Sequence, residues 1–419
     1  MRMKKSIDLN DCQTLDEQDP LRSLRAKFSQ SESGAIHYDA NSMGAMPKAV
    51  PEQVAWMLNE GWRNLSRQGW SKLDWLDKPK KLAAGIAHLL GANPEDVIVC
   101  DSTSINLYKL LSYAWRIRKG GNILLTESNH FPTDIYIAEG WVKTVQELGS
   151  EAEIRFSNSH EEVMDSLNEE VAVVSLTYVD YRTSLRWEMS RLMQKAKEVG
   201  ALVVWDLSHA AGAVRIDLME CDADFAVGCS YKYLCGGPGA PAYLFIHPRH
   251  QNQTWPTIAG WMGHLDVFAF AQNYEAHPSI ISQTTGSPAI MANEIFSAAV
   301  EIWQEVQVDE LDRKHESLTQ LFRELLEQEC GPLGAEMTSP RNHSQQGGHV
   351  SIRHPGAGPV SEALLEHGVV SSFRKPDSIR FGISPLYHSH EDIWAGIQRL
   401  KEVLSTEVWR EERFQKVSV

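Results

Sequence analysis

The chain has 419 residues, 42% hydrophobic and 23% charged, and its 40 Lys and Arg against 55 Asp and Glu leave a formal charge of −15. That length holds a large core and more than one domain. The acidic balance argues against a nucleic-acid surface or an anionic membrane, and no run of about eighteen apolar residues exists to span a bilayer.

The first five residues are basic, the next stretch is acidic, and no apolar signal region follows. Residues up to about Leu21 are expected to form a loosely held arm. Cys12, Cys100, Cys221, Cys229, Cys235 and Cys330 include no CxxC pair, which predicts the reduced thiols of a cytoplasm rather than a disulfide frame or a zinc site. Residues 38–47, YDANSMGAMP, read as a strand and turn with a loop of small residues.

From 97 to 248 short apolar runs alternate with helical periodicity. Strands are expected at 97–100, 122–126, 152–156, 171–178, 201–207, 225–228 and 242–246, and helices at 105–117, 133–148 and 190–199. Leu192, Met193, Ala196 and Val199 share one helical face. The alternation implies an α/β fold with a mostly parallel, seven-stranded sheet covered on both sides. No GxGxxG opens a helix behind the first strand, so a nicotinamide-binding reading is poor.

Chemistry concentrates at the strand ends. Asp101-Ser-Thr-Ser-Ile-Asn106 follows a strand and opens a helix, where hydroxyls and free N–H groups make a phosphate site with Thr103 and Ser104 as ligands. His130-Phe-Pro-Thr-Asp134 joins a strand to a helix that Thr133 or Asp134 is expected to cap. The stretch 205–239 ends one strand on Asp206, places His209 three residues on, and delivers Ser230, Tyr231 and Lys232 from the next strand into a glycine-rich loop. An acid, a histidine and a lysine thus meet where open α/β sheets bind ligands. Desolvation there disfavours both charges, so the pair needs a reason. Pyridoxal phosphate supplies one: its aldehyde condenses with a lysine amine, and its ring nitrogen needs an anion to stay protonated. Lys232 and Asp206 fit those roles as a pair; singly, each reads as a surface lysine and a helix cap.

Beyond 248 the pattern changes. Gly260-Trp-Met-Gly-His264 and Thr284-Thr-Gly-Ser-Pro288 are small-residue loops, followed by expected helices at 287–306 and 308–329. Alternation at Val350 and Ile352, and at Ile379, Phe381 and Ile383, predicts short strands, with helices at 359–366 and 391–412. The expected organisation is an N-terminal arm and loop at 1–50, a large domain at 51–306, and a small α+β domain at 307–419 on which part of the N-terminal segment packs.

DLSHAAG and CSYK, with YDANSMGAMPK, CDSTSINLYKLL, ESNHFPTDIY, TYVDYRTS, GWMGH, TTGSP and SIRFGISPLYHSHED, span nearly the whole chain. Together they resemble the fold type I pyridoxal-phosphate enzymes of the class V aminotransferase superfamily, and within it the kynureninase family. The resemblance implies hydrolysis of L-kynurenine, and more weakly of its 3-hydroxy derivative, at the Cβ–Cγ bond to anthranilate and L-alanine. It implies a homodimer with active sites at the subunit interface. Phe131 is implied to stack on the pyridine ring, with Pro132, Thr133 and Asp134 bordering the cofactor and Thr177 near the ring or its 3-hydroxyl. Asp206 pairs with the ring nitrogen, His209 reaches cofactor or substrate, Lys232 carries the covalent link, and Tyr231 reaches the phosphate with an acid–base role. Trp261 and Ser287 are implied to serve the neighbouring subunit's cofactor phosphate. Ser42, Trp70, Gly286 and Arg380 are implied substrate contacts, Arg380 gripping the α-carboxylate with its planar fork of donors.

In animal members, which favour the 3-hydroxylated compound, a histidine and an asparagine stand at the positions of Trp70 and Ser287, so kynurenine is the expected substrate. Desulfurases of the superfamily usually place histidine before the lysine, where this chain has Tyr231. A desulfurase, epimerase or small-substrate aminotransferase stays open as an alternative. A catalytically silent amino-acid sensor is the more distant one, expected to lack the lysine or the aspartate, both of which are present. No metal ligands are expected.

Overall fold

A computed structural model describes residues 7–416. A short β1 (Ile36–His37) precedes the central sheet. Its strands are β2 (Val97–Val99), β3 (Ile123–Glu127), β4 (Glu153–Ser157), β5 (Val171–Thr177), β6 (Leu202–Asp206), β7 (Phe225–Gly228) and β8 (Tyr243–Ile246). The order is β2-β8-β7-β6-β5-β3-β4, with β8 antiparallel to both its neighbours and the other pairs parallel. Each expected strand lies within one residue of an observed one. Except for the edge strand β4, which is only partly buried, these runs were legible because both faces of such strands are buried, so most of their residues are apolar; β5 is buried at all its positions.

Successive residues of one strand point to opposite layers. Val173 and Val204 pack with Leu107, Leu110 and Trp141 from helices Thr103–Ile117 and Pro132–Glu147. Val174 and Val203 join Leu82, Ile86, Leu192 and Met193 from helices Lys78–Ala87 and Met189–Val199 on the other side. The sheet is thereby fixed between two helical layers, and the carboxyl ends of β5, β6 and β7 come side by side: Thr177 pairs with Asp206, and Asp206 with Val227.

Helices Ile290–Trp303 and Val308–Glu329 lead to a second sheet of β9 (Glu336–Met337), β10 (His349–Arg353), β12 (Ser372–Arg374) and β13 (Ser378–Gly382) in the order β12-β13-β10-β9. Between them β11 (Val369–Val370) pairs in parallel with β1. A separate core gathers Leu318, Phe322 and Leu325 with Val350, Ile379, Phe381, Ile397 and Leu400, and it includes Cys12, Ile36 and Tyr38 from the N-terminal segment.

The N-terminal expectation is corrected. Residues 9–17 form a helix, Leu9–Glu17, capped by Asp8 and packed on helix His390–Ser405, with Cys12 fully buried. Asp16 accepts from the backbone N–H groups of His390 and Glu391, serving as a long-range cap for that helix. Asp19 and Lys314 form a 2.6 Å ion pair with both side chains 3% exposed. What holds the arm is distant in sequence, the polar contacts of Asp16 and Asp19 and the single buried Cys12, so no apolar periodicity announced it. The last helix is also shorter than expected: it ends at Ser405, Glu407 turns into a left-handed conformation at φ 53°, and two 3-10 turns follow. The helix expected from 287 begins at Ile290.

Candidate active site

Asp206 ends β6 and is 5% exposed. Its Oδ1 accepts from the Ser208 backbone N–H at 2.9 Å and the Ser208 hydroxyl at 2.6 Å, which fixes the carboxylate. No lysine or arginine among the described residues pairs with it. β7 ends at Gly228, and the chain then turns through Ser230 and Tyr231 to Lys232, with the Cys235 N–H closing on the Lys232 carbonyl at 2.9 Å. The half-buried Lys232 meets His209 rather than a carboxylate, Nζ to Nε2 at 3.0 Å. An ammonium has donors only, so His209 accepts through Nε2 and carries its proton on Nδ1, which has no partner among the described residues. Burial, then the positive charge of Lys232, hold the His209 imidazole well below its ordinary pKa, hence neutral.

The 130–134 segment borders this group, with one correction. Phe131 occupies the N-cap position of helix Pro132–Glu147 and no side chain caps it; Pro132 begins the helix, and neither Thr133 nor Asp134 serves as cap. Proline at the first helical position has no N–H to satisfy, which lowers the need for a capping oxygen. Asp134 turns inward instead, 5% exposed, with its Oδ2 3.3 Å from His130 Nδ1 and its carboxyl near enough to Asp206 to feel that charge. Burial, then the Asp206 charge, raise the Asp134 carboxyl well above the carboxylate range, so Asp134 is the protonated member of the pair. His130 beside it is pushed down to about 4 by burial. The Phe131 ring is 38% exposed, 5.8 Å from Lys232 Nζ and edge-on to Tyr181 at 5.3 Å. Thr177 lies next to Asp206 across the strand pair, its hydroxyl donating to the Val179 carbonyl at 3.0 Å.

Arg380 comes from β13 in the second core, 1% exposed. Its guanidinium donates to the Tyr181 carbonyl at 2.7 Å, Ser372 Oγ at 3.2 Å and Ser42 Oγ at 3.4 Å, and no carboxylate pairs with it among the described residues. Burial, then the neighbouring Arg374, lower its pKa to about 9. A buried cation without a counter-ion is costly unless an anion arrives. Ser42 is carried by the 38–47 loop, and Gly44 is the reason that loop lies so close: its N–H donates to the Tyr231 carbonyl at 2.9 Å, and a Cβ there would stand 2.2 Å from the Lys232 carbonyl oxygen.

Thr103 and Ser104 sit half-buried in the first turn of helix Thr103–Ile117, which Ser102 caps. Asp101 and Ser102 line a cavity of about 690 Å³ together with Tyr231, Thr285, Gly286 and Ser287. The nearby Cys229 sulfur, then burial, hold the Tyr231 phenol well above its ordinary pKa, so it stays protonated. Trp70 is not brought to Lys232 or Arg380. It lines a different cavity with Met57, Trp62, Trp75 and Met291, its ring 6.4 Å from that of Trp261. Sequence reasoning missed Ser208, Gly44, Tyr181 and also His349, whose fully buried ring stands 5.7 Å from that of His209. Ser208, Gly44 and Tyr181 stand within DLSHAAG, YDANSMGAMPK and TYVDYRTS, but nothing local marks them apart from their neighbours, and His349 lies outside every such stretch.

These residues fit pyridoxal phosphate. An amine free of carboxylates, a buried aspartate without a cationic partner, an exposed aromatic face and a capped helix start match its aldehyde, ring nitrogen, ring and phosphate. Among the described residues no cluster of His, Cys, Asp and Glu suits a metal ion, and no helix is long and apolar enough to cross a membrane.

Residues 311–400 match the family described as kynureninase C-terminal domain. The fold is similar to an apo structure of cysteine desulfurase from Thermococcus onnurineus, with a TM-score of 0.74 at 17% identity over 92% of this chain and 98% of that one. The chain is 37% identical to the kynureninase of Pseudomonas fluorescens over 97% of its own length and 98% of the relative's. It is 38% identical to that of Deinococcus radiodurans over 95% and 97% of the two chains. With identity sustained from end to end and the site residues assembled in one fold, the chain belongs to the kynureninase family.

Proposed function

We propose that the chain hydrolyses the Cβ–Cγ bond of L-kynurenine, releasing anthranilate and L-alanine, with pyridoxal phosphate as its cofactor. The observation that carries this reading is the Lys232–His209 contact beside a buried Asp206, with the unpaired Arg380 tied to the same site through Tyr181 and Ser42. Lys232 would hold the cofactor by its aldehyde, Asp206 its ring nitrogen, Phe131 one ring face, and Thr103 and Ser104 its phosphate. Pro132, Thr133, Asp134 and Thr177 border it. When bound, the cofactor supplies an electron-withdrawing ring that acidifies the carbon beside an amino acid's nitrogen.

The chain's own residues then have distinct tasks. Arg380, with Ser42 beside it, binds the substrate α-carboxylate through paired charge-assisted hydrogen bonds. Once substrate occupies the site, Lys232 takes the proton from Cα. Neutral His209 accepts a hydrogen bond from that amine and keeps it aimed. Asp134, protonated, leaves the negative charge of the pair on Asp206. Tyr231, protonated and next to Lys232, gives a proton in the later steps, when the carbon–carbon bond breaks.

Kynurenine rather than its 3-hydroxy derivative is the proposed preferred substrate, on the identities of Trp70 and Ser287, with Gly286 beside it. The proposed assembly is a cytoplasmic homodimer. Trp70, Trp261, Phe270 and Phe268 follow one another in ring contact, and Phe268 and Phe270 are 52% and 77% exposed, a clustered aromatic surface of the kind that marks an interaction site. Trp261 and Ser287, and Trp70 with them, are proposed to face the partner's site. The proposed domains are 51–306 for the cofactor and 307–419 as the smaller one, with 1–50 an N-terminal arm and active-site loop of which part packs on the smaller domain.

Borohydride reduction of the cofactor-loaded protein followed by peptide mapping tests the assignment. A phosphopyridoxyl group on Lys232 is expected; its attachment to another lysine refutes it.

A further inference from the structure

Lys109 lies on helix Thr103–Ile117 with its side chain 0% exposed. Its Nζ donates to Asp101 Oδ2 at 2.7 Å, to the Gln283 carbonyl at 2.7 Å and to Cys100 Sγ at 3.6 Å, which accounts for all three ammonium protons. A buried lysine is expensive unless paired and fully hydrogen-bonded, so a position needing only bulk would be better served by methionine. The pairing does more than neutralise charge. Asp101 has φ +48°, in the left-handed region that residues with a Cβ enter reluctantly. It is held there from three directions: Lys109 on Oδ2, the Thr285 hydroxyl on Oδ1 at 3.3 Å, and the Ala242 N–H on its carbonyl at 2.9 Å.

The next residue, Ser102, caps the helix whose first turn holds Thr103 and Ser104, and Gln283 and Thr285 lead into Gly286 and Ser287. One buried ion pair therefore joins two segments about 180 positions apart that line the same cavity with Tyr231. We propose that Lys109, acting through Asp101, fixes the 101–104 turn, which takes the phosphate of the chain's own cofactor, against the 283–287 loop, which faces the partner's, and thereby sets the affinity of the assembly for the phosphate of a phosphorylated cofactor. The inference rests on the pyridoxal-phosphate reading above. Lys109 is a positioning residue: its charge is already matched by Asp101, so it acts by placing the hydroxyl and N–H groups rather than by attracting the phosphate.

The test is a titration of the apoprotein with pyridoxal phosphate and, separately, with pyridoxal, which lacks the phosphate, followed by quenching of tryptophan fluorescence. Lys109→Met is expected to weaken binding of pyridoxal phosphate by about tenfold, or about 1.4 kcal/mol, and to leave pyridoxal binding unchanged. Unaltered affinity for pyridoxal phosphate, or equal losses for both ligands, overturns the proposal. Should Lys109→Met fail to fold by circular dichroism, Thr285→Val decides: a loss confined to pyridoxal phosphate supports the latch, and wild-type binding refutes it. If the wild-type apoprotein binds neither ligand, the cofactor reading itself is what has failed.

Discussion

Lys232 Nζ donates to His209 Nε2 across 3.0 Å, and this is the one hydrogen bond of that amine among the described residues. The lysine is thus aimed by a neutral imidazole and not by an anion. His209→Phe keeps a ring in the space and removes the acceptor. Steady-state kinetics are expected to show kcat/KM lowered roughly ten- to hundredfold, the equivalent of one charge-assisted hydrogen bond of about 1.5–3 kcal/mol. Unchanged kcat/KM would mean that the contact does not aim the amine.

Arg380 has serine and carbonyl partners but no carboxylate. Arg380→Met removes the fork and spares much of the packing. KM for L-kynurenine is expected to rise roughly ten- to hundredfold, while a decarboxylated analogue binds both proteins equally. Equal losses for acid and analogue would contradict a carboxylate-binding role.

Asp134 is protonated because burial and the Asp206 charge raise its pKa. A group with a raised pKa in the folded state contributes stability that is complete below its unfolded value, about 3.9, and is lost as pH rises through the folded value. The apoprotein is therefore expected to lose resistance to urea from about pH 4 upward until Asp134 has ionised. Asp134→Asn keeps the side-chain shape and cannot ionise, so its urea midpoint should fall less over the same range. Parallel profiles for the two proteins would show that Asp134 titrates normally.

Gly44 has no room for a side chain. A Cβ would stand 2.2 Å from the Lys232 carbonyl oxygen and 2.9 Å from Cys235 Cα, both backbone atoms. Gly44→Ala is expected to destabilise the protein by about 1–3 kcal/mol through forced backbone shifts, and to lower kcat/KM by displacing Ser42 and the Lys232 turn together. A variant with wild-type Tm and activity would show that the loop tolerates the shift.

How much of this was readable beforehand differs from element to element for physical reasons. The central strands are continuous apolar runs, so their positions were evident, and with them Asp206 at the end of one and Lys232 just past the next. Helix Leu9–Glu17 was not evident because its anchors, Asp16 on His390 and Asp19 on Lys314, lie some 300 residues or more away. Asp134 looked like a helix cap; its inward turn toward Asp206 depends on the register of β3 against β5 and β6. Arg380 could be placed on a strand by alternation, but its link to Ser42 joins residues 338 positions apart. Trp70, one of thirteen tryptophans, has no spacing that distinguishes it, and the structure puts it beside Trp261 rather than Lys232. Lys109 fell within a helix as an ordinary charged residue; only the fold reveals that it is buried on a carboxylate.

The most direct measurement is the fluorescence of anthranilate released when cofactor-loaded protein is incubated with L-kynurenine, run beside Lys232→Ala. Steady anthranilate release by the wild-type chain, matched by L-alanine and absent from the variant, is the predicted result. No anthranilate from the wild-type protein, or undiminished release from Lys232→Ala, would contradict it.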